Sequence, residues 1–369
     1  MTTDSRKVVP GCVFVALKGE HFDGNDFVEQ ARRDGAEYII SGENALAELQ
    51  DLARAWRREL GLPILGITGT NGKTTTKELC AAVLSTKYKL YYTQGNLNNQ
   101  LGVPLTLLNI TRAHEMAIVE MGASHPGDIK ELVEIAEPNY GLITNVGKAH
   151  LQGFGSFEGV MRTKAELYDF LRAHNGFCFR NTDNPYLAQM AGDLKTVEYH
   201  TGTMPSDTHL VGGYNAENVS AAICVGRYFG VSEEDALAAI RAYIPSNNRS
   251  QLMQTEKNTV VVDAYNANPT SMQAAINAFK GDCYILGAMR ELGEYSHLEH
   301  QNIVNMLLER KAEKVLLVGE EYKKTTAPYP VFENVEALCE YLQREPLSGY
   351  TILLKGSRSN QLEKVIPLL

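Results

Sequence analysis

Residues Gly69-Thr-Asn-Gly-Lys-Thr-Thr75 have the types and spacing of a phosphate cradle. Glycines let backbone N–H groups approach an anion, Lys73 supplies point charge, and the hydroxyl of Thr74 can sit on Mg²⁺. The apolar run Ile64, Leu65, Ile67 before them reads as a buried strand, and Lys73 onward as a helix, so the loop lies where a strand turns into a helix. The common G-x-x-x-x-G-K-[ST] pattern would have Gly at position 67, where this chain has Ile67. A plain glycine-rich turn with a solvated lysine is the alternative. The cradle implies a nucleoside triphosphate and leaves open what its energy drives.

Other polar residues fall where strands should end. Glu120 closes Met116–Met121, and Thr144-Asn145 closes Gly141–Asn145. In an open α/β sheet the ligand crevice lies beyond the carboxyl ends of the strands, so these groups face the phosphate loop. A carboxylate after a buried Ile-Val pair is costly unless paired or metal-bound, which favours Glu120 as a metal ligand over a strand-end cap. By pattern alone His150 reads as a structural histidine and Lys164, on a stretch with helical spacing of Leu167, Phe170 and Leu171, as a solvated helix lysine.

The elements that must position these residues alternate strand and helix, which predicts an α/β protein with mainly parallel sheets. At 369 residues the chain is long enough for two or three domains. In residues 1–62, strands are expected at 12–17 and 36–40, a short helix at 26–34 and an amphipathic helix at 43–60. Gly61-Leu62-Pro63 marks a boundary. Residues 63–246 form the central phosphate-loop domain, with strands at 89–92, 116–121 and 141–145. Gly212-Gly-Tyr-Asn-Ala-Glu-Asn218 opens an apolar helix running through Ile240, and Pro245-Ser-Asn-Asn marks the second boundary. Residues 247–369 repeat the alternation. Strands are expected at 259–263, 283–287, 314–318 and 351–354, and helices near 270–280, 297–311, 334–344 and 358–366. Asp263 ends the first of these strands.

Composition bounds the function. With 44% hydrophobic and 21% charged residues the chain is an ordinary globular one, and no apolar run approaches the ~20 residues that span a bilayer. No signal peptide is expected. A net charge of −9 argues against nucleic acid as a partner. The six cysteines are scattered without C-x-x-C spacing and read as reduced thiols of a cytoplasmic protein.

These stretches together resemble the Mur ligase family of ATP-dependent amide-forming enzymes, over nearly the whole chain. Thr68-Gly-Thr-Asn-Gly-Lys-Thr74 is similar to its phosphate loop, which accounts for the missing Gly at 67. Gly95-Asn-Leu-Asn-Asn-Gln-Leu-Gly-Val-Pro104, Ile143–Ser156, Asp263-Ala-Tyr-Asn-Ala-Asn-Pro269 and Leu354-Lys-Gly-Ser-Arg358 resemble the branch that adds D-alanyl-D-alanine to UDP-N-acetylmuramoyl-tripeptide. The Asp-Asn-Pro-Arg tetrapeptide of the tripeptide-forming branch does not occur.

The resemblance implies a three-domain fold with a Rossmann-like C-terminal domain. It implies that Gly69, Thr70, Asn71, Gly72, Lys73, Thr74 and Thr75 hold the ATP phosphates, and that Asn218, Arg249 and Asp263 contact ATP. Thr74 and Glu120 would bind Mg²⁺. Lys164 would be carbamylated by CO₂ and, with His150, hold a second ion; Lys73 and Asn145 would act in catalysis. Asp4, Ser5 and Arg6 would hold the UDP part, and Asn96, Asn98, Asn99, Asn266 and Asn268 would contact substrates. The enzyme would work as a cytoplasmic monomer in peptidoglycan precursor synthesis. Two departures stand out. Only Met1 and Thr2 precede the Thr-Asp-Ser-Arg motif, which predicts a shortened first domain, and Ala288 stands where the family has a carboxylate. Competing readings are a ligase adding another amino acid, including a folate glutamate-tail ligase; a phosphate-loop ATPase or switch without ligase activity; and an inactive relative that keeps only nucleotide binding.

Overall fold

Apolar runs and helical periodicities fold into three α/β units in chain order; the computed structural model describes every residue except 20–21 and 246–247. The boundary expected at 246 therefore lies outside the described residues.

The first unit is small. Strands β1 (Val13–Val15) and β2 (Tyr38–Ile40) pair in parallel around helix α1 (Val28–Arg33), over a core of Phe14, Ala16 and Ala31. Helix α2 (Ala45–Leu60) follows and stops at Gly61, whose φ of 63° is a left-handed helix cap. Its buried face, Leu49, Ala53 and Arg57, turns toward the second unit rather than toward the small sheet. Trp56 Nε1 donates to Ile110 O at 2.8 Å, and Ala53 joins the central core.

The central unit runs β3 (Ile64–Thr68), α3 (Lys73–Leu84), β4 (Leu90–Tyr92), α4 (Gly102–Leu108), β5 (Met116–Glu120), α5 (Asp128–Ala136), β6 (Tyr140–Ile143), α6 (Leu151–Phe154), α7 (Phe157–Ala173), β7 (Phe177–Asn181), α8 (Pro185–Ala191), β8 (Thr196–Tyr199), α9 (Asn215–Tyr228) and α10 (Glu233–Ala242). Its parallel sheet has the order β4-β5-β3-β6-β7-β8. Every residue of β3 is buried because helices cover both faces: α3, α9 and α10 on one, α2, α4, α5 and α7 on the other. The chain leaves β3 to both sides, so a switch point opens beyond its carboxyl end, between β5 and β6.

One expectation is corrected here, and two strands are added. The single helix through Ile240 is two helices, because Gly230 takes φ 74° and the Ser232 hydroxyl caps a new start by accepting from Asp235 N. Strands β7 and β8 were not anticipated; charged residues such as Arg180 and Glu198 interrupt their apolar pattern, yet those two side chains pair across the strands.

The third unit comprises β9 (Gln251–Gln254), β10 (Thr259–Asp263), α11 (Pro269–Ala278), β11 (Cys283–Gly287), α12 (Ser296–Glu309), β12 (Lys314–Val318), α13 (Glu320–Lys323), β13 (Val331–Phe332), α14 (Val335–Arg344) and β14 (Thr351–Lys355). The sheet order is β13-β12-β11-β14-β10-β9, parallel apart from β9. The short β9 and β13 edges went unread. The helix expected at 358–366 is instead two 3₁₀ stretches, Arg358–Asn360 and Leu362–Leu368, separated by Gln361 at φ 51°. No helix among the described residues is long and apolar enough to cross a membrane.

Candidate active site

The loop between β3 and α3 depends on glycine at two places. Gly69 has φ 142° and Gly72 φ 78°; a Cβ would lie 2.0 Å from Thr144 Oγ1 at the first and 2.5 Å from Asn218 Oδ1 at the second. Only glycine fits either site. The end of β6 then fastens the loop. Asn71 N donates to Asn145 Oδ1 at 3.0 Å, Thr70 N donates to Asn145 O at 2.9 Å, and Thr144 Oγ1 donates to Asn71 O at 2.6 Å. A cradle tied this way is pre-shaped for an anion at the N-terminus of α3, where the helix dipole adds positive potential. Lys73 Nζ donates to Gly69 O at 2.7 Å and Thr70 O at 3.0 Å, which holds the ammonium against the loop. Burial lowers its pKa to about 8, against the charge of Glu120 and with that of Arg249.

Glu120 closes β5 with only 1% of its surface exposed. Its Oε1 accepts from Thr74 Oγ1 at 3.2 Å and from Asn98 Nδ2 at 2.8 Å, while Oε2 has no hydrogen-bond partner. The nearest cation to Oε2 is Lys77 Nζ at 3.9 Å, itself fully buried and held by Thr93 O and Glu78. A buried carboxylate oxygen left bare beside a hydroxyl is an oxygen donor set that fits a hard divalent cation. Among the described residues no three His, Cys, Asp or Glu side chains cluster as a closed metal cage. Such a site would suit Mg²⁺, which takes one or two carboxylates and completes its shell with phosphate oxygens and water.

Lys164 is not the solvated lysine that periodicity suggested. Helix α7 starts where Ser156 Oγ accepts from Gly159 N at 3.1 Å, and it turns Lys164 inward with 2% exposure, its Nζ 5.5 Å from the centre of the Phe154 ring. Burial, aided by the Lys73 charge and opposed by Asp128 and Glu166, drives its pKa well down, so the amine tends toward neutrality. His150 lies nearby, its Nδ1 against Glu291 Oε2 of the third unit. Burial lowers its pKa against the pull of Glu291, and both Lys73 and Lys164 contribute in the lowering direction. Lys73 and His150 line the cleft between the central and third units; Lys164 does not.

The cleft between the central and third units is a cavity of about 860 Å³, large enough for a nucleotide with room beside it. Asn96, Asn98 and Asn99 line it, as do Asn218, Arg249, Asp263 and Asn266. Asn218 is fixed by Thr76 Oγ1, which donates to its Oδ1 at 2.9 Å. The Arg249 guanidinium lies 3.8 Å from the Tyr265 ring centre, and Lys355 Nζ pairs with Asp263 Oδ2 at 2.5 Å. Asn268 sits in an adjoining 320 Å³ cavity and caps α11, while its Nδ2 donates to Asn71 Oδ1 at 2.7 Å across the units.

Asp4, Ser5 and Arg6 lie outside this cavity; Asp4 caps the 3₁₀ turn Ser5–Lys7, and Arg6 Nε and Nη2 both donate to it at 2.9 Å. Residues of the site that the sequence does not announce are Glu217, Tyr265, Glu291 and Lys355, which line the cleft, and Lys77 beside Glu120. Lys355, a charge ending a buried strand, carried the same signal as Glu120. Lys77 carried a weaker one, one turn after Lys73 among the apolar positions of α3. Glu291 had none, because its partner is 141 residues away.

Comparison with known proteins matches the geometry along the whole chain. Three family descriptions fit: Mur ligase family, catalytic domain, at residues 1–82; Mur ligase middle domain at 67–201; and Mur ligase, glutamate ligase domain, at 248–358. The UDP-N-acetylmuramoyl-tripeptide–D-alanyl-D-alanine ligase of Bacillus subtilis is 33% identical, covering 99% of this chain and 92% of that protein. The Escherichia coli ligase of the same name is 32% identical, covering 100% and 93%. Among solved structures, MurF ligase from Thermotoga maritima in complex with ADP superposes with a TM-score of 0.87 at 28% identity, covering 100% of this chain and 96% of that one.

Proposed function

The chain belongs to the Mur ligase family, and we propose that it joins D-alanyl-D-alanine to UDP-N-acetylmuramoyl-tripeptide using ATP. It is an ATP-dependent, amide-bond-forming ligase of three α/β domains. One observation carries the reading most. A phosphate cradle on one sheet and the polar loops of a second sheet face each other across a single 860 Å³ cavity, which a hydrolase needing only water would not require.

In this reading residues 1–62 take the UDP end through Asp4, Ser5 and Arg6, residues 63–246 take the ATP phosphates, and residues 247–369 take the dipeptide and help hold the nucleoside. Gly69 to Thr75 hold the phosphates, with Asn218, Arg249 and Asp263 on the nucleoside. Asn96, Asn98 and Asn99 contact the muramoyl peptide, and Asn266 and Asn268 the dipeptide. The tripeptide's terminal carboxylate attacks the γ-phosphorus and ADP leaves, forming an acyl phosphate. The dipeptide amine attacks the acyl carbon, loses a proton, and phosphate departs as the amide forms. Lys73, held by the loop carbonyls, stabilises the charge that develops on the transferring phosphoryl group. Asn145 keeps Asn71 N and the loop in place during transfer. Thr74 and Glu120 are the residues to hold Mg²⁺, which when bound neutralises phosphate charge; the orphaned Glu120 oxygen supports this. Lys164, buried and inclined to the neutral amine that reacts with CO₂, is suited to carbamylation, and the carbamate with His150 would hold a second ion. Closure of the cleft keeps water from the acyl phosphate.

Both walls of the cleft come from one chain, which supports a monomer, and dependence on ATP fits the cytoplasm. Incubation with ATP, Mg²⁺ and both substrates should yield the UDP-linked pentapeptide, identified by mass. Recovery of unchanged tripeptide under those conditions contradicts the reading.

A further inference from the structure

Glu291 belongs to the loop that follows β11, and its backbone is left-handed at φ 61°. A non-glycine residue holds that conformation only where its surroundings impose it. Here they do. Met289 N donates to His300 Nε2 at 3.0 Å, and Arg290 pairs with Glu321 and donates from Nε to Ser359 Oγ at 3.2 Å. The loop is thereby clamped at the two residues just before Glu291.

From this clamp Glu291 reaches the central domain twice. Its backbone O accepts from Gln152 N at 3.2 Å, and its Oε2 meets Nδ1 of His150. His150 is also left-handed, φ 49°, at the start of α6. Beside this pair Lys148 Nζ bonds Glu299 Oε1 at 2.9 Å, and Lys148 N donates to Thr270 Oγ1 at 3.1 Å. Glu299 is 1% exposed, so its charge is committed to that partner. Residues 147–152 of one domain and 288–299 of the other are therefore joined at several points, beside the cleft that Lys73, His150 and Glu291 line.

We propose that Glu291 is a positioning residue for His150: its carboxylate accepts the Nδ1 proton, fixes that tautomer and leaves the Nε2 lone pair free for the reacting end of the cleft. A carboxylate on one imidazole nitrogen orients the ring and raises the basicity of the other, which is what a histidine binding a cation or proton at Nε2 requires. The acceptor comes from the other domain, so His150 is set only when the two domains meet. Assembly of the site is thereby coupled to closure. The inference rests on the ligase reading only for the reaction that reports it.

The test uses the full-length protein with Glu291→Ala, Glu291→Gln, Glu291→Met, His150→Ala and the double variant His150→Ala/Glu291→Ala. Glu291→Ala should lower kcat about tenfold and change the KM for ATP by less than about twofold. If Glu291 acts only through His150, the double variant is no slower than His150→Ala alone. Losses that multiply overturn the proposal. Nitrogen-15 NMR of the imidazole gives a readout independent of turnover: wild type with ADP shows the Nδ1–H tautomer, and Glu291→Ala loses it. Glu291→Gln, whose amide oxygen can accept the same proton, retains it, and Glu291→Met, which has no acceptor, loses it and decides the matter should the alanine variant fail to fold. An unchanged tautomer in a folded Glu291→Ala overturns the proposal. Absence of ligation in every variant would defeat the ligase reading while leaving the NMR comparison intact.

Discussion

Thr74 Oγ1 donates to Oε1 of Glu120 at 3.2 Å, and the other oxygen of that buried carboxylate has no hydrogen-bond partner. A hydroxyl on the phosphate-loop helix and a carboxylate on the next strand are thus set side by side, with one oxygen in reserve. Glu120→Gln keeps the shape and removes the charge. We expect kcat to fall on the order of 10²-fold and the Mg²⁺ concentration for half-maximal rate to rise, while ADP still binds in the presence of EDTA. Calorimetry with and without Mg²⁺ checks this; an unchanged Mg²⁺ requirement would remove Glu120 from the metal site.

Lys164 gives a second prediction. Lys164→Arg keeps a cation but cannot take up CO₂. Wild-type protein equilibrated with bicarbonate should gain the mass of CO₂ under mild ionisation and lose it on acidification, and Lys164→Arg should show no gain. The variant's kcat should fall on the order of 10²-fold. Full activity without bicarbonate contradicts the carbamate.

His300 links stability to pH. It is fully buried, donates from Nδ1 to Ser296 O at 2.7 Å and accepts from Met289 N at Nε2, so the native state needs the neutral ring. Burial lowers its pKa below the usual 6.5; Ser296 O, Glu321 and Glu299 oppose this, and Arg290 adds to it. The unfolded chain therefore binds the proton first as pH falls. Stability should decline as pH drops below about 6.5 and level off below the lowered native value. Thermal melts from pH 8 to 5 should show this loss, and His300→Gln, which cannot titrate, should flatten it. Equal slopes for both proteins would count against the assignment.

Arg57 tests how α2 is anchored. Its guanidinium donates to Ala136 O at 3.1 Å, Glu137 O at 3.0 Å and Asn139 Oδ1 at 3.0 Å, with 6% exposure. Arg57→Ala strands those acceptors and should cost about 2–4 kcal/mol in denaturant unfolding. A change below about 0.5 kcal/mol would show that α2 is not held this way.

Much of the site was legible because its chemistry sits at chain-local positions. Gly69, Gly72 and Lys73 announce a cradle by type and spacing, and Glu120 betrays itself as a charge ending an apolar strand. The burial of Lys164 was not legible in the local pattern. Its helix has the ordinary spacing of an exposed position there, and burial comes from α6 and Phe154 packing over it. Glu291 and Lys355 act on residues roughly 140 and 90 positions away, and no local pattern carries such a pairing. The broken helix at Gly230 had a visible signal, a glycine followed by a capping serine, outweighed by the apolar periodicity on either side.

ATP cleavage in this ligase is expected to serve amide formation. ADP release measured with UDP-N-acetylmuramoyl-tripeptide, with and without D-alanyl-D-alanine, tests it most directly. Sustained turnover is expected only when both are present. Steady release indifferent to the dipeptide would contradict it.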